Sequence, residues 1–73
     1  MIIIYGSPNC TWCTRALKLC EDYDVSTAYL DINEGRNRDI FKDLFPGATT
    51  VPQIIVDGEH IGGYAELQRH LSS

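Results

Sequence analysis

Basic charge is scarce in this sequence. Six Lys and Arg stand against ten Asp and Glu, which leaves a formal net charge of −4. A nucleic-acid-binding face needs clustered cations, so the balance argues against that class of function. Long apolar runs are missing as well. Nothing approaches the roughly 20 consecutive residues of a membrane span. The opening Met1-Ile2-Ile3-Ile4 has neither the cationic front nor the cleavage site of a secretion signal, so no export is expected and the expected location is the cytoplasm. Cysteine is limited to three, an odd number that disfavours a secreted disulfide framework. The 73 residues allow one domain, spanning 1–73. Such a short chain buries only about 60% of its unfolded surface, so its stability margin is expected to be small. The 44% apolar content excludes intrinsic disorder.

What is present falls into short alternating elements. Ile2 to Tyr5 is a β-branched run closed by Gly6-Ser7-Pro8, which suits a strand buried on both faces. From Thr11 the period changes. Cys13, Ala16, Leu17 and Cys20 recur at i, i+3, i+4 and i+7, one face of a helix, with Asn9 or Thr11 available to cap its start. After a turn at Asp24, Val25 to Asp31 reads as a second strand. Asn33-Glu34-Gly35 interrupts it. Ile40, Phe41, Leu44 and Phe45 then mark a second helix stopped by Pro46-Gly47. Pro52 to Val56 and Glu59 to Ile61 read as strands joined by the hairpin signal Asp57-Gly58. Tyr64, Leu67 and Leu71 mark a last short helix. The order β-α-β-α-β-β-α contains a parallel crossover followed by an antiparallel hairpin. It predicts an α/β fold with a mixed four-stranded sheet flanked by helices.

Cys10 and Cys13 form a C-x-x-C pair between the first strand and the first helix, the redox arrangement of thioredoxin-like βαβ units. Free N–H groups and the positive end of the helix dipole meet at such a position. Both favour a thiolate, and cysteines so placed have pKa values lowered into a range of roughly 3.5 to 7.5. Cys10 is therefore the expected nucleophile. Cys13, one turn further in, is expected to be more buried and to resolve the mixed disulfide that Cys10 forms. Residues at i and i+3 on a helix have Cβ atoms about 5 to 6 Å apart. A disulfide prefers about 3.5 to 4.5 Å, so a bridge here is expected to be easily reduced. A zinc site would need a second close ligand pair, and Cys20, His60 and His70 do not supply one, so no metal is expected. Cys20 reads as a small buried hydrophobe on the apolar face of its helix. His60 and His70 read as surface residues, neither placed to act as a base for Cys10.

Three motifs in fixed order extend this reading: the C-x-x-C pair, Thr50-Val51-Pro52, and Ile61-Gly62-Gly63-Tyr64. Together they resemble the glutaredoxins, and the resemblance covers essentially the whole chain. It implies a thioredoxin-like fold and glutathione-dependent reduction of protein disulfides and glutathione mixed disulfides. Glutathione would be the co-substrate, with an operating potential of about −200 to −230 mV. The resemblance also implies a cis peptide bond before Pro52. That bond would turn the backbone of Thr50 and Val51 toward the thiolate, where the cysteinyl residue of glutathione could pair with it like an added strand. The N–H groups of Tyr64 and Ala65, after the Gly62-Gly63 turn, would meet one glutathione carboxylate, and Arg15 the other. Gly63 would allow close approach, and Trp12 would lie flat on the substrate.

The sequence departs from the family pattern at three points. Cys10-Thr11-Trp12-Cys13 replaces Cys-Pro-Tyr-Cys, which frees an N–H at the helix start that could reach the Cys10 sulfur. Ser7 stands where a lysine is frequent, and Ala65-Glu66 where an Asp often holds the γ-glutamyl amine. Two other readings within the family are electron donation to protein disulfides with recharging by thioredoxin reductase, and a dimer sharing an iron–sulfur cluster on the first cysteine. The expected state is a monomer. Its partners are glutathione and disulfide-containing proteins, ribonucleotide reductase being one substrate of the family.

Overall fold

A computed structural model describes residues 1–73. The elements are β1 (Ile2–Gly6), α1 (Thr11–Asp22), β2 (Thr27–Asp31), α2 (Gly35–Leu44), β3 (Gln53–Val56), β4 (Glu59–Gly62) and α3 (Tyr64–Ser72). The strands form one mixed sheet in the order β2-β1-β3-β4. β1 runs parallel to β2 and antiparallel to β3, and β3 and β4 form the antiparallel hairpin. The order and the mixed sheet are those that the sequence predicts.

Alternation along the central strands divides the core in two. Ile2 and Ile4 of β1, with Ile54 and Val56 of β3, face Ala16 and Cys20 of α1 and Leu67 of α3. Tyr5 faces the other way and packs edge-on against Phe45, with Phe41 of α2 beside them. β1 is thus covered on both sides, which is why its sequence is an unbroken apolar run. The hairpin turns at Asp57 (φ 49) and Gly58 (φ 87), both left-handed, as a type I′ turn requires.

Three differences from the sequence reading have a local cause. β2 begins at Thr27 rather than Val25, because Val25 closes the end of α1. Its N–H donates to the Cys20 carbonyl at 3.0 Å and the Asp24 N–H to the Glu21 carbonyl at 3.0 Å, with Asp24 left-handed between them (φ 56), which is a Schellman cap. α2 begins at Gly35, ahead of its apolar repeat, after the Asp31 carboxylate accepts the Asn33 N–H at 2.8 Å and turns the chain. At α1 the cap is neither Asn9 nor Thr11 but Cys10 itself, in extended backbone (φ −95, ψ 113), with its sulfur accepting the Cys13 N–H.

Gly6 ends β1 directly beneath α1. A Cβ there would lie 2.6 Å from the Tyr29 hydroxyl and 2.8 Å from the Cys13 sulfur. The strand can pass under the helix start only because that atom is missing. Gly6→Ala is therefore expected to overpack the site and cost about 1–3 kcal/mol in urea unfolding. Ile4→Ala, at a position with 0% exposure in the main core, is expected to cost about 2–5 kcal/mol in the same measurement, a large share of so small a domain's stability.

Candidate active site

The cysteine pair lies where β1 hands over to α1. Cys10 occupies the N-cap position that Ser, Thr, Asp or Asn usually fills, and its Sγ accepts the N–H of Cys13 at 3.1 Å. The amide that reaches the sulfur is that of Cys13, not the Thr11 amide that the absent proline frees. That amide and the positive end of the helix dipole are both directed at the sulfur. Cys10 is half-buried, and its thiol lies 3.7 Å from the Val51 carbonyl, which it meets as a donor.

Cys13 is a different kind of thiol. It is wholly buried, and burial, followed by the hydrogen bond from its side chain to Cys10, pushes its pKa up to about 11. At neutral pH it therefore remains protonated. All three cysteines are free. Cys20 is also wholly buried in the main core, and burial raises its thiol in the same direction.

The Val51–Pro52 peptide is cis and turns the chain so that the Val51 carbonyl faces the Cys10 sulfur. The Gln53 side chain braces the same loop by donating to the Thr50 carbonyl at 3.0 Å, and it pairs through its oxygen with His60 Nε2 at 2.8 Å. His60 also packs at a tilt against Phe45, ring centroids 4.5 Å apart, so it is an exposed brace rather than a free surface side chain. His70 is exposed on α3.

Trp12, Thr50, Val51, Pro52, Gly63, Tyr64 and Ala65 line one groove of about 470 Å³, together with Glu66 and Gln68. Trp12 is 52% exposed and tilts against Tyr64 with ring centroids 5.2 Å apart. Arg15 lies outside the groove. Its guanidinium sits 4.8 Å from the Trp12 ring centre, in a separate cleft with Lys18, Asp22 and Tyr64. A second groove, of about 340 Å³, meets the first at Thr50 and Val51 and runs toward α2, where Arg38 and Lys42 line it. These two cations escaped the sequence reading. They lie on the polar side of α2, and only the fold brings them to the Val51 backbone. Together with Gly6 and Tyr29, they are what long-range contact adds.

The start of α3 differs from a bare anion site. The Glu66 carboxylate accepts the Gly63 N–H at 2.7 Å and pairs with Arg69 at 3.1 Å. The Gly63 hydrogen bond leads in holding its pKa below the usual carboxylate range, so the helix start carries a negative group of its own. No group of three or more His, Cys, Asp or Glu is gathered as metal ligands.

The raised thiol of Cys13 has a consequence for stability. A group whose pKa is higher in the folded chain than in the unfolded one stabilises the fold below its unfolded pKa, and that contribution is lost as pH rises through the folded value. For Cys13 the window runs from about 9.0 to about 11. Tyr29, pushed up to about 12 first by burial, adds loss in the same direction from about 10.0. The reduced protein is expected to melt at a temperature that falls steeply above about pH 9, and Cys13→Ala should flatten the first part of that fall.

The comparisons agree with this geometry. The glutaredoxin family model matches residues 2–61. Glutaredoxin 1 of Salmonella typhimurium is 38% identical over 73 residues, an alignment covering 90% of this chain and 84% of that protein. The solved structure of reduced Escherichia coli glutaredoxin superposes with a TM-score of 0.78 at 32% identity, covering 97% of this chain and 92% of that one. Its oxidised form gives 0.78 at 33% identity, with 99% and 93% covered. No helix is long and apolar enough to cross a membrane. With its cysteine pair at the mouth of a thioredoxin-like sheet and relatives matched over nearly their whole length, the chain belongs to the glutaredoxin family of thiol–disulfide oxidoreductases.

Proposed function

We propose that residues 1–73 act as one glutaredoxin domain that reduces protein disulfides and glutathione mixed disulfides with electrons from glutathione. The carrying observation is the asymmetry of the two sulfurs. Cys10 accepts a main-chain N–H at the edge of a groove, while Cys13 is sealed behind it as a thiol. Relatives solved in reduced and oxidised forms support a cycle between dithiol and disulfide.

The Cys10 thiolate attacks a substrate disulfide, forms a mixed disulfide and releases one substrate sulfur as a thiolate that takes up a proton. Cys13 then attacks the Cys10 sulfur and releases the second substrate thiol, leaving a Cys10–Cys13 disulfide. One glutathione thiolate opens that bond at Cys10, and a second removes the first as glutathione disulfide. Two electrons pass from two glutathione molecules to one substrate disulfide.

The groove supplies matching groups for the tripeptide. In the resting protein the Cys10 thiol donates to the Val51 carbonyl. Ionisation removes that donor and leaves the carbonyl for an incoming peptide N–H, so activation of the nucleophile and docking of the cysteinyl backbone become linked. Arg38 and Lys42 lie in the groove that continues from Val51 and suit one glutathione carboxylate. At the other end, Glu66 suits the γ-glutamyl ammonium, beside the helix N–H groups of Tyr64 and Ala65. Trp12 and Tyr64 offer apolar faces between these ends.

Turnover of a glutathione mixed disulfide tests this reading. Cys10→Ser is expected to lose all activity. Cys13→Ser is expected to keep the mixed-disulfide reaction and lose reduction of protein disulfides. Thioredoxin reductase sustaining turnover where glutathione does not would contradict the proposed electron source.

A further inference from the structure

Cys13 must give up its proton to resolve a mixed disulfide, yet the fold seals it in an apolar place. The group that faces it from the sheet is the phenol of Tyr29. One point in space, where a Cβ on Gly6 would stand, lies 2.6 Å from the Tyr29 oxygen and 2.8 Å from the Cys13 sulfur. The two atoms are therefore no farther apart than those two lengths laid end to end. The same hydroxyl donates to the Ser7 carbonyl at 2.7 Å across 22 residues of sequence, which holds the ring in place. That carbonyl has a second donor, the Cys10 N–H at 3.4 Å, so it keeps a partner if the phenol turns away.

We propose that Tyr29 is a positioning residue for Cys13: its hydroxyl donates to the Ser7 carbonyl while the sulfur is protonated, and turns about its C–O bond to donate to the sulfur as the thiol ionises for the resolving attack. The proposal rests on the dithiol cycle described above. In the step concerned, the Cys13 sulfur bonds to the Cys10 sulfur, the bond from Cys10 to the substrate sulfur breaks, and the Cys13 proton ends on the departing substrate thiolate. Tyr29 keeps its own proton throughout.

The surrounding charges are compatible with this role. Burial, followed by the charge of Cys13, pushes the Tyr29 hydroxyl up to about 12, so it is a donor at any working pH. Donors on the Tyr29 side chain and the Ser7 backbone both favour the ionised Cys13, against burial and the neighbouring Cys10. The titratable groups facing the pair are Cys10 before α1 and Asp31, two residues along β2 from Tyr29.

The resolving step can be watched alone. An aromatic disulfide places a nitrothiobenzoate on Cys10 at low pH, and its release yields the coloured thiolate. A jump to higher pH lets Cys13 displace it, and the proton passes to buffer because the aromatic thiolate leaves unprotonated. A hydrogen bond to a charged group sets the expected size of the effect. In Tyr29→Phe, release at neutral pH is expected to slow by roughly tenfold or more, and the midpoint of its pH dependence to rise by about one pH unit. A ring-fluorinated tyrosine at position 29, a stronger donor, is expected to move the midpoint down. Wild-type rate and midpoint in Tyr29→Phe overturn the proposal, as does slower release with an unmoved midpoint, which marks a packing defect. If Tyr29→Phe fails to fold, the fluorinated protein decides, and a midpoint that stays or rises overturns the proposal. The assay contains no glutathione, so its outcome is separable from failure of glutathione-driven turnover.

Discussion

A single hydrogen bond organises the active end of this molecule: the Cys13 N–H donating to the Cys10 sulfur at 3.1 Å. It joins the N-cap of α1 to the third residue of the helix, the bond that a serine or aspartate cap ordinarily makes. Using a cysteine for it puts that sulfur where the helix offers unpaired N–H groups. The same spacing sends the Cys13 side chain inward over β1, so one residue steadies the outer sulfur with its amide and stores the inner sulfur in the core. The difference between a half-buried outer sulfur and a sealed inner one thus follows from one turn of helix. It also requires Gly6, whose missing Cβ is the space that the Cys13 sulfur and the Tyr29 hydroxyl occupy.

The electrostatics of the surrounding surface are local rather than global. The chain carries a net charge of −4, yet Arg38 and Lys42 line the groove that reaches Val51. At the opposite end Glu66 holds a negative charge over the start of α3, bound to the Gly63 N–H and to Arg69. The proposed ligand, with a carboxylate at one end and an ammonium at the other, would meet its charges in that order. Arg15 lies over the Trp12 ring and lines neither groove.

Much of the architecture was legible in the sequence because its signals are local. The apolar run Ile2 to Tyr5, the helical recurrence Cys13-Ala16-Cys20 and the Asp57-Gly58 turn each act over a few residues, and each formed the element it indicates. Where the reading slipped, a competing local bond won. Val25 was claimed by the cap of α1, and Cys10 took the capping role that Asn9 or Thr11 would fill by propensity. The cis bond at Pro52 came from family resemblance, since proline spacing alone fits a strand start equally well. The parts that were not legible depend on distance along the chain. Tyr29 reads as one more strand aromatic, and Arg38 and Lys42 read as the solvated side of α2. Only the parallel pairing of β1 with β2, and the course of the chain past α2 to Val51, give those side chains their places.

Alkylation mapping tests the division between the two sulfurs most directly. Reduced protein is treated with limiting iodoacetamide at neutral pH, and the modified cysteines are identified by mass spectrometry over time. The account predicts that Cys10 is modified first and fast, with Cys13 and Cys20 untouched until the protein is unfolded. Modification of Cys13 ahead of Cys10, or of Cys10 no faster than a cysteine in the unfolded chain, would contradict it.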